Sequence, residues 1–349
     1  MKKLLYFFPV LLFWFSTPVY TQELQDLFVL DTRYENRNGP LQTEVAAIWH
    51  LTNLYFQASG VGTLQKGEIS VQFQWTLGNF FHEDMTTADH RYTIRTDVET
   101  YLYTFDFQYG ITHWLTAGIR IPIIQHWSGI MDPYIQSFHR TFRSPNGGRE
   151  YYEDNQINVY LFDNDTNDYK INIRSSSAGI GDVVLKTQFK IFQTENKVFG
   201  LGAVLALKLP TGNAGKLRGS GSMDFGGGVL VEFALFRWWV FYVNFFYSFN
   251  GNYKGDNGFN MKLVNRWQFT GTSEWIISNK SSLIFQYTTF NSAWSNLRVY
   301  RISGIGIQAF LGFKYRISKN FTFQFYIMED FEPWTTSDIV FNFGFHFKI

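Results

Sequence analysis

The sequence predicts an all-β fold, a transmembrane antiparallel up-and-down β-barrel of about 12 strands. Apolar and polar residues alternate with a period of two from residue 67 to the C-terminus, which is the pattern of strands with one apolar face. Short connections alternate along the chain with long polar ones. An aromatic content of 20% with a mean hydropathy of only −0.15 indicates that apolar side chains are interleaved with polar ones.

Residues 1–21 are typical of a secretory signal. Lys2 and Lys3 are followed by an apolar run at residues 4–15 and then by small and polar residues. A membrane-spanning helix needs ~20 apolar residues, whereas this run is shorter and is interrupted by Pro9. We therefore expect a cleaved signal peptide and an exported mature chain.

Residues 22–66 precede the first clear strand and are expected to form an N-terminal periplasmic or plug segment. Three alternatives remain open, namely a plug folded into the barrel, a loose periplasmic tail, or an extra strand pair at residues 48–57. The segment is too apolar for a disordered chain, because it contains Ile48, Trp49, Leu51, Leu54, Tyr55 and Phe56. Residues 67–349 are expected to form the barrel itself.

About twelve segments carry the two-residue period, and most approach the ~9–11 residues with which a tilted strand crosses a bilayer. In the first, Ile69, Val71 and Phe73 share one face while Ser70 and Gln72 share the other. The segments are residues 68–81, 100–109, 115–123, 183–191, 199–209, 225–235, 239–249, 259–269, 283–289, 305–315, 321–327 and 339–349.

The connections favour a membrane barrel over a soluble β-sandwich, which gives no reason for loop lengths to alternate. Short turns on the periplasmic side and long loops outside are typical of outer-membrane barrels. The short connections lie at residues 112–114, 194–197, 236–238, 278–281 and 318–320. The long ones lie at residues 82–97, 131–178, 211–224, 251–258, 291–302 and 330–337.

The last segment, from Phe341 to Ile349, alternates up to the final residue. In water such an end would be an exposed apolar edge, whereas in a barrel it pairs with the first strand. It resembles the C-terminal recognition signal of outer-membrane proteins, although Ile349 stands where Phe is usual. We expect it to engage the barrel-assembly machinery, with outer-membrane lipid and lipopolysaccharide as further partners.

Short motifs along most of the mature chain resemble a family of outer-membrane barrels of unknown function. Two of them also resemble phenol meta-pathway outer-membrane proteins and, more distantly, long-chain fatty-acid transporters. The resemblance implies a barrel, with a channel for small hydrophobic compounds as one expectation, and it carries no catalytic residues. The motifs are Asn38-Gly39-Pro40-Leu41, Pro122, Gly129-Ile130-Met131-Asp132, Ile135, Phe138-His139, Gly147-Gly148-Arg149, Gly179-Ile180-Gly181-Asp182, Leu209-Pro210-Thr211-Gly212, Gly219-Ser220-Gly221 and Ser337-Asp338-Ile339.

The polar face of each strand should line the lumen, because lipid accepts the apolar face. Cations outnumber anions on that face, which indicates either a lumen that favours anions or a barrel packed shut by pairs such as Asp106 with Arg120. The inward charges are Asp106, Arg120, Asp182, Lys186, Lys190, Lys208, Glu232, Lys262, Arg266, Lys314 and Arg316. The candidate lumen-lining residues are Arg120, Lys186, Lys208, Arg266, Asp106 and Glu232.

The longest loop is expected to contain a short helix at residues 132–142. Asp132 suits the N-cap and Pro133 the first helical position, and Tyr134, Ile135 and Phe138 recur at helical spacing. The helix would either fold into the mouth as a gate or roof the barrel. The candidate gate residues are Asp132, Tyr134, Phe138 and His139.

Other chemistry finds little support in the sequence. The chain has no Cys and a net charge of +1, which excludes thiolate chemistry and disulfides and gives no nucleic-acid signature. The acidic run at residues 163–168 lacks the glycine of an EF-hand and has Arg174 at its twelfth position. A rim cluster of acidic and His residues between His82 and His90 is weak evidence for catalysis. We predict no enzyme activity, no metal and no cofactor.

The function predicted from the sequence is an outer-membrane channel that passes small solutes, hydrophobic or anionic, in a double-membraned bacterium. The alternative is a closed structural or surface-binding barrel whose extracellular loops bind a ligand. A hydrolase at the barrel rim is the third hypothesis. The surplus of cations on the inward face favours the channel, whereas the narrow interior of a barrel of about twelve strands favours the closed barrel.

Overall fold

The computed structural model describes residues 37–143, 146–330 and 335–349, so the expected signal peptide at residues 1–21 lies outside them. Within these described ranges, two short α-helices interrupt a chain that is mostly strand. The helices are α1, Asp132–Phe142, and α2, Tyr300–Ser303. The strands are β1 Ile69–Thr86, β2 Tyr92–Thr112, β3 Leu115–Trp127, β4 Val159–Asp163, β5 Asp168–Ile173, β6 Ser177–Ile180, β7 Val183–Gln193, β8 Phe199–Leu209, β9 Asp224–Phe236, β10 Trp239–Phe249, β11 Tyr253–Lys254, β12 Asn260–Met261, β13 Arg266–Ile276, β14 Ser281–Asn291, β15 Ile305–Ser318, β16 Phe321–Asp330 and β17 Ile339–Lys348.

Twelve of these strands close into one antiparallel barrel, in the order β1, β2, β3, β7, β8, β9, β10, β13, β14, β15, β16, β17. The barrel closes where β17 returns to β1, with Trp75 opposite Phe343. The terminal Ile349 also exchanges main-chain hydrogen bonds of 2.9 Å with Ile69. The predicted all-β fold class, the up-and-down topology and the pairing of the last segment with the first strand are therefore confirmed.

The first hairpin is longer than the sequence predicted. Residues 82–97 were expected to be a loop, but β1 and β2 have 18 and 21 residues and continue as a paired ladder as far as Thr86 opposite Thr93. The hairpin β4–β5 adds to this extension, because β4 pairs with the start of β2. Residues 82–97 lack the regular alternation of the other strands, so the two-residue period did not predict this extension.

A second correction concerns the predicted segment at residues 259–269. Its first part contains β12, which pairs with β11 outside the segment, and the barrel strand β13 begins only at Arg266. On the side away from β2, β3 has two partners, β7 along its first half and β6 along its second. The break between them falls at Gly181-Asp182, where the Gly181 N–H donates to the Pro122 carbonyl at 2.8 Å.

The two faces of the barrel differ as the alternation predicts. Side chains such as Trp75, Phe245 and Leu311 project outward and are exposed, whereas Gln74 and Asn244 point inward and are buried. An apolar exposed band around a closed barrel is typical of a surface that meets lipid. Among the described residues, no helix is long and apolar enough to cross a membrane.

Helix α1 forms where the sequence predicts it, but its cap differs. Met131 occupies the N-cap position, and Asp132 is the first helical residue without capping the helix through its side chain. The Asp132 carboxylate binds Arg149 instead. The helix ends at Arg143, which adopts the left-handed conformation with φ of 57°.

Candidate functional site: the barrel lumen

Residues 37–66, called here the inner segment, run through the barrel interior. Its main-chain N–H groups donate to inward side chains of several strands: Leu54 to Asp224 of β9 at 2.9 Å and Leu64 to Thr116 of β3 at 2.9 Å. The segment contains a short 3₁₀ helix, Ile48–Thr52, and no strand. Residues 22–36 of the predicted N-terminal segment lie outside the described residues, and its role as a plug stays a prediction.

Three amide side chains of the barrel wall hold the inner segment. Each of them hydrogen-bonds to both the main-chain N–H and the main-chain carbonyl of a single residue of that segment. Gln268 accepts from the Phe56 N–H at 3.3 Å and donates to the Phe56 carbonyl at 2.6 Å. Asn244 binds Ser59 in the same way, at 2.9 and 3.1 Å. The third clamp, between Gln324 and Gln42, has distances of 2.9 and 3.1 Å.

An apolar cluster fills the end of the lumen that carries the long loops, called here the long-loop end. Trp49 of the inner segment packs edge-on against Trp294, with ring centres 5.2 Å apart. The Trp294 indole N–H donates to the Trp49 carbonyl at 2.7 Å. The cluster also contains the buried residues Val45, Ala47, Ile48, Tyr55, Phe80, Tyr92, Ile94, Val98, Val159, Leu161, Ile171, Ile173, Leu217, Tyr253, Leu263, Ala293, Leu297, Val299 and Ile302.

Arg266 lies fully buried below this cluster, as an inward residue of β13. Its guanidinium carbon is 3.9 Å from the ring centre of Phe290 and 5.5 Å from that of Tyr55. Burial and the nearby positive charge of Arg266 lower the pKa of His50 to about 3. The His50 ring is thus neutral and lies 2.8 Å, through Nε2, from the Thr335 carbonyl oxygen.

A cavity of about 670 Å³ occupies the opposite end of the lumen, called here the short-turn end because turn residues such as Lys197 and Lys319 line it. Inner-segment residues such as Gln57 and Ser59 form part of its wall. Its lining includes nine Lys and Arg side chains, and Glu232 as its one carboxylate among the described residues. The cations are Arg37, Arg120, Lys186, Lys190, Lys197, Lys314, Arg316, Lys319 and Lys348.

Three predicted lumen residues form one charge group beside the cavity. Asp106 of β2 lies between Lys186 Nζ at 2.5 Å and Arg120 Nε at 3.4 Å. Arg120 also donates to Gln57 Oε1 at 2.5 Å and to the Tyr55 carbonyl at 3.4 Å. Two cations thus share one carboxylate, so the group keeps a positive formal charge while it anchors the inner segment.

Glu232 and Lys208 lie at different levels of the lumen. Glu232 pairs with Arg37 at 2.9 Å and accepts from the Val61 N–H at 2.8 Å. Lys208 is buried further toward the long-loop end, where its Nζ lies 2.5 Å from Asp182 and 3.4 Å from Asp224. Two carboxylates therefore compensate its charge, whereas Arg120 and Lys186 share one carboxylate.

The Gly-rich motifs of the sequence meet at Asp182. Its carboxylate accepts from the N–H groups of Gly212 at 2.9 Å and Ser220 at 3.1 Å. Thr211 Oγ1 donates to the Gly181 carbonyl at 2.7 Å. Three separate motifs are thus joined by hydrogen bonds into one cluster beside the break between β6 and β7.

The candidate gate residues separate into one buried and three outer positions. Asp132 is buried and binds Arg149, whereas Tyr134 and Phe138 are exposed and His139 lies 3.2 Å from Asn146. Arg149 also contacts Asp338. This arginine joins the longest loop to the barrel rim, so α1 is fixed at the rim while Tyr134 and Phe138 stay exposed.

The acidic run at residues 163–168 forms the turn between β4 and β5. Asp163 Oδ1 accepts from the N–H groups of Asp165 at 3.0 Å and Thr166 at 3.3 Å, so the carboxylate stabilises the turn. His82 is buried in the β1 extension. Within residues 37–143, 146–330 and 335–349, no group of three or more His, Asp or Glu side chains is arranged to hold a metal ion.

Sequence reasoning missed the residues that bind the inner segment. Gln268, Asn244 and Gln324 lie on the polar faces of their strands, but neutral amides carry no charge signature that distinguishes them from other lumen residues. Arg149 was noted only within a motif. A search for inward Asn and Gln at mid-strand positions would have found the amide clamps.

A closed barrel of twelve antiparallel strands with an apolar outer band and a polar lumen is the architecture of outer-membrane β-barrels. The chain belongs to the family described as "Protein of unknown function (DUF3187)", whose model matches residues 29–349. Among curated proteins, none matches this chain.

Several solved structures are similar to the barrel. The COG4313 outer membrane channel from Pseudomonas putida F1 is 10% identical, with 84% of this chain and 100% of that chain covered and a TM-score of 0.56. The NanC porin is 10% identical, with coverage of 80% and 100% and a TM-score of 0.45. The Pseudomonas putida toluene transporter TodX is 8% identical, with coverage of 89% and 98% and a TM-score of 0.38.

At these identities the likeness concerns the fold, which matches that of bacterial outer-membrane channels. These matches do not carry the finer resemblance to phenol meta-pathway proteins or fatty-acid transporters.

Proposed function

We propose that this chain is an outer-membrane channel that passes small anionic solutes passively and is closed by its inner segment. The observation that carries the proposal is the cavity of about 670 Å³ at the short-turn end, where nine cations face one carboxylate. A low-dielectric wall focuses the field of such charges and concentrates anions in the lumen.

Two of the cavity cations, Lys314 and Arg316, bind main-chain oxygens rather than carboxylates, so their charge is available to a solute. Lys314 Nζ donates to the carbonyls of Asn38 at 3.1 Å and Pro40 at 2.5 Å. Arg316 donates to the Arg37 carbonyl at 3.2 Å. Carbonyl contacts satisfy the donors without cancelling the formal charge, so the cavity attracts anions.

Passage requires the inner segment to move, because it lies between the cavity and the long-loop end. Toward the cavity the segment is held by individual hydrogen bonds, which contribute only ~0.5–1.5 kcal/mol each, and by a small apolar cluster around Phe56 and Phe246. In this mechanism the outward apolar band lies in outer-membrane lipid with lipopolysaccharide nearby, and β17 is the strand presented to the assembly machinery.

The second candidate is a closed barrel that binds a ligand through its long loops without transport. The apolar cluster around Trp49 and Trp294 favours it, because a packed core at the long-loop end resists opening. In that case the inner segment would be a permanent part of the core.

Single-channel recording of the refolded, signal-free chain in a planar bilayer separates the two. We expect stable conductance steps and an anion-selective reversal potential under a KCl gradient. Lys314→Met with Arg316→Met should move that potential toward zero, because two cavity charges are lost. Lys280→Met is the matched control, since Lys280 is exposed in a turn at the same end without lining the cavity. A folded but silent protein would favour the closed barrel.

A further inference from the structure

Many hydrogen bonds between the barrel wall and residues 54–64 of the inner segment go to main-chain atoms, while the side chains of Leu54, Phe56 and Val61 pack against apolar wall residues. Gln268 and Asn244 each bind the N–H and the carbonyl of a single residue, Phe56 and Ser59 respectively. An amide side chain has one acceptor and two donors, so it matches the donor and acceptor of one extended residue.

Other strands extend the same pattern in both directions. Asp224 and Glu232 accept from the N–H groups of Leu54 and Val61. Gln188 Nε2 of β7 donates to the carbonyls of Gly60 at 3.0 Å and Gly62 at 2.8 Å. The atoms recognised are present in every peptide, whatever its side chains. We call this set of wall side chains the main-chain track.

We propose that the main-chain track is a binding site for short extended peptides, and that the inner segment occupies it as an internal competitor. This inference rests on the proposed channel function and names its solute class, short peptides with a free carboxylate. Main-chain hydrogen bonds supply affinity that is independent of sequence, as in strand addition to a sheet edge.

The charges of the site suit a peptide with a free C-terminus. Arg120 and Lys186 lie where the track meets the cavity, and Arg120 already donates to the Tyr55 carbonyl. A terminal carboxylate at this level would add a charge-assisted hydrogen bond, which is about twice as strong as a neutral one. A sugar of similar size has hydroxyl groups but no paired N–H and carbonyl, so it cannot engage Gln268 and Asn244 in the same way.

Competition with the inner segment in the full chain tests the proposal. The probe is trialanine, and its control is the trimer of N-methylalanine, which keeps the side chains and the carboxylate but has no peptide N–H. A tethered segment has an effective concentration in the millimolar range, so each peptide is added at roughly 10–100 mM. The readout is hydrogen exchange of residues 54–64 in the refolded chain in detergent micelles.

Trialanine should accelerate exchange of residues 54–64 by about tenfold, whereas the N-methylated trimer should leave it unchanged. Equal effects of the two peptides, or no effect of either, would overturn the proposal. Because exchange is measured without ion flow, a channel that fails to conduct anions would refute the proposed function separately.

Two matched variants identify the wall residues that bind the peptide main chain. Gln268→Met removes one amide clamp and should abolish at least half of the trialanine effect. Gln286→Met removes a buried amide of β14 that donates to the Thr43 side chain at 3.1 Å rather than to the main chain, so it should keep the full effect. If the Gln268 variant does not fold, the comparison of the two peptides on the unaltered chain still decides the outcome. A trialanine effect that survives Gln268→Met intact would overturn this assignment.

Discussion

The guanidinium carbon of Arg266 lies 3.9 Å from the ring centre of Phe290, and this ring contact is the main compensation for a fully buried charge. Among the described residues, no hydrogen-bond acceptor reaches its three nitrogens. Lys208 is equally buried, but Asp182 and Asp224 both lie within ion-pair distance. The two cations therefore differ in what their removal would leave behind.

We expect opposite effects on stability from two substitutions. Arg266→Met removes a buried charge that has no hydrogen-bond acceptor and keeps apolar contact with Phe290, so the barrel should be as stable as before or more stable. Lys208→Met leaves Asp182 and Asp224 buried without their cation, which should cost about 3–5 kcal/mol. The measurement is the temperature at which each refolded protein loses its folded band in a gel-shift assay. A destabilised Arg266→Met protein would contradict this account.

Arg149 is expected to hold the longest loop on the barrel rim. It contacts Asp132 at the start of α1 and Asp338 before β17, and its guanidinium carbon lies 4.6 Å from the ring centre of Phe81. Arg149→Met should weaken this junction by about 3 kcal/mol, which corresponds to about hundredfold more frequent loop opening. The measurement is the rate of chymotrypsin cleavage at aromatic residues of the loop.

The control for this experiment is Arg140→Met, because Arg140 lies exposed on the same helix. Its substitution should leave the cleavage rate unchanged. If Arg149→Met and Arg140→Met are cleaved at the same rate, the arginine junction does not fix the loop.

The barrel strands are predictable from the sequence because each strand has its own local alternation of apolar and polar residues. The alternation from Ile69 to Leu77 depends only on local contact with lipid on one side and polar interior on the other, so it can be read without tertiary information. The extension of β1 and β2 beyond residue 82 could not be read in this way, because it depends on burial by the distant hairpin β4–β5.

The lumen is less predictable than the wall. The inward position of charges such as Arg120 and Lys186 follows from the alternation of residues along each strand. Their contacts with Asp106 and Gln57 depend on the barrel register and on the path of the inner segment. Nothing in the local sequence around Gln268 indicates that its amide binds a main chain 212 residues away. Such contacts need the three-dimensional fold.

Acid should favour release of the inner segment through His50. Burial holds the pKa of His50 at about 3 in the docked segment, against an ordinary value of 6.5. A group with a lowered pKa stabilises the docked state above its ordinary pKa, and this stability is lost as the pH falls from 6.5 toward 3. At pH 5.5 the loss is about 1.4 kcal/mol, or roughly tenfold in the docking equilibrium.

The measurement is the open probability of the channel in planar bilayers between pH 7.5 and pH 5. This pH dependence is compared between the unaltered chain and the His50→Gln variant. Glu44 is also buried in the inner segment, and burial raises its pKa, so its titration favours docking in acid and opposes His50. Both proteins contain Glu44, and the difference between them isolates His50. Identical pH profiles would show that His50 does not couple docking to pH.

A reversible cross-link between the inner segment and the wall should lock the channel shut. The chain has no Cys, so an introduced pair has no native competitor. A Cβ atom added to Gly200 of β8 would lie 3.2 Å from the Val61 Cβ, slightly inside the ~3.5–4.5 Å separation of disulfides. A shift of a few tenths of an ångström therefore permits a bond between Val61→Cys and Gly200→Cys.

In the oxidised double variant the segment cannot leave the wall at residue 61, because a covalent bond replaces hydrogen bonds worth only ~1 kcal/mol each. Conductance should fall to the bilayer background after oxidation and return after addition of a reductant. The single variants Val61→Cys and Gly200→Cys control for the substitutions themselves and should conduct under both conditions. Undiminished current through the fully cross-linked protein would mean that solutes pass without movement of the inner segment, and the cavity would then connect to the long-loop end by another path.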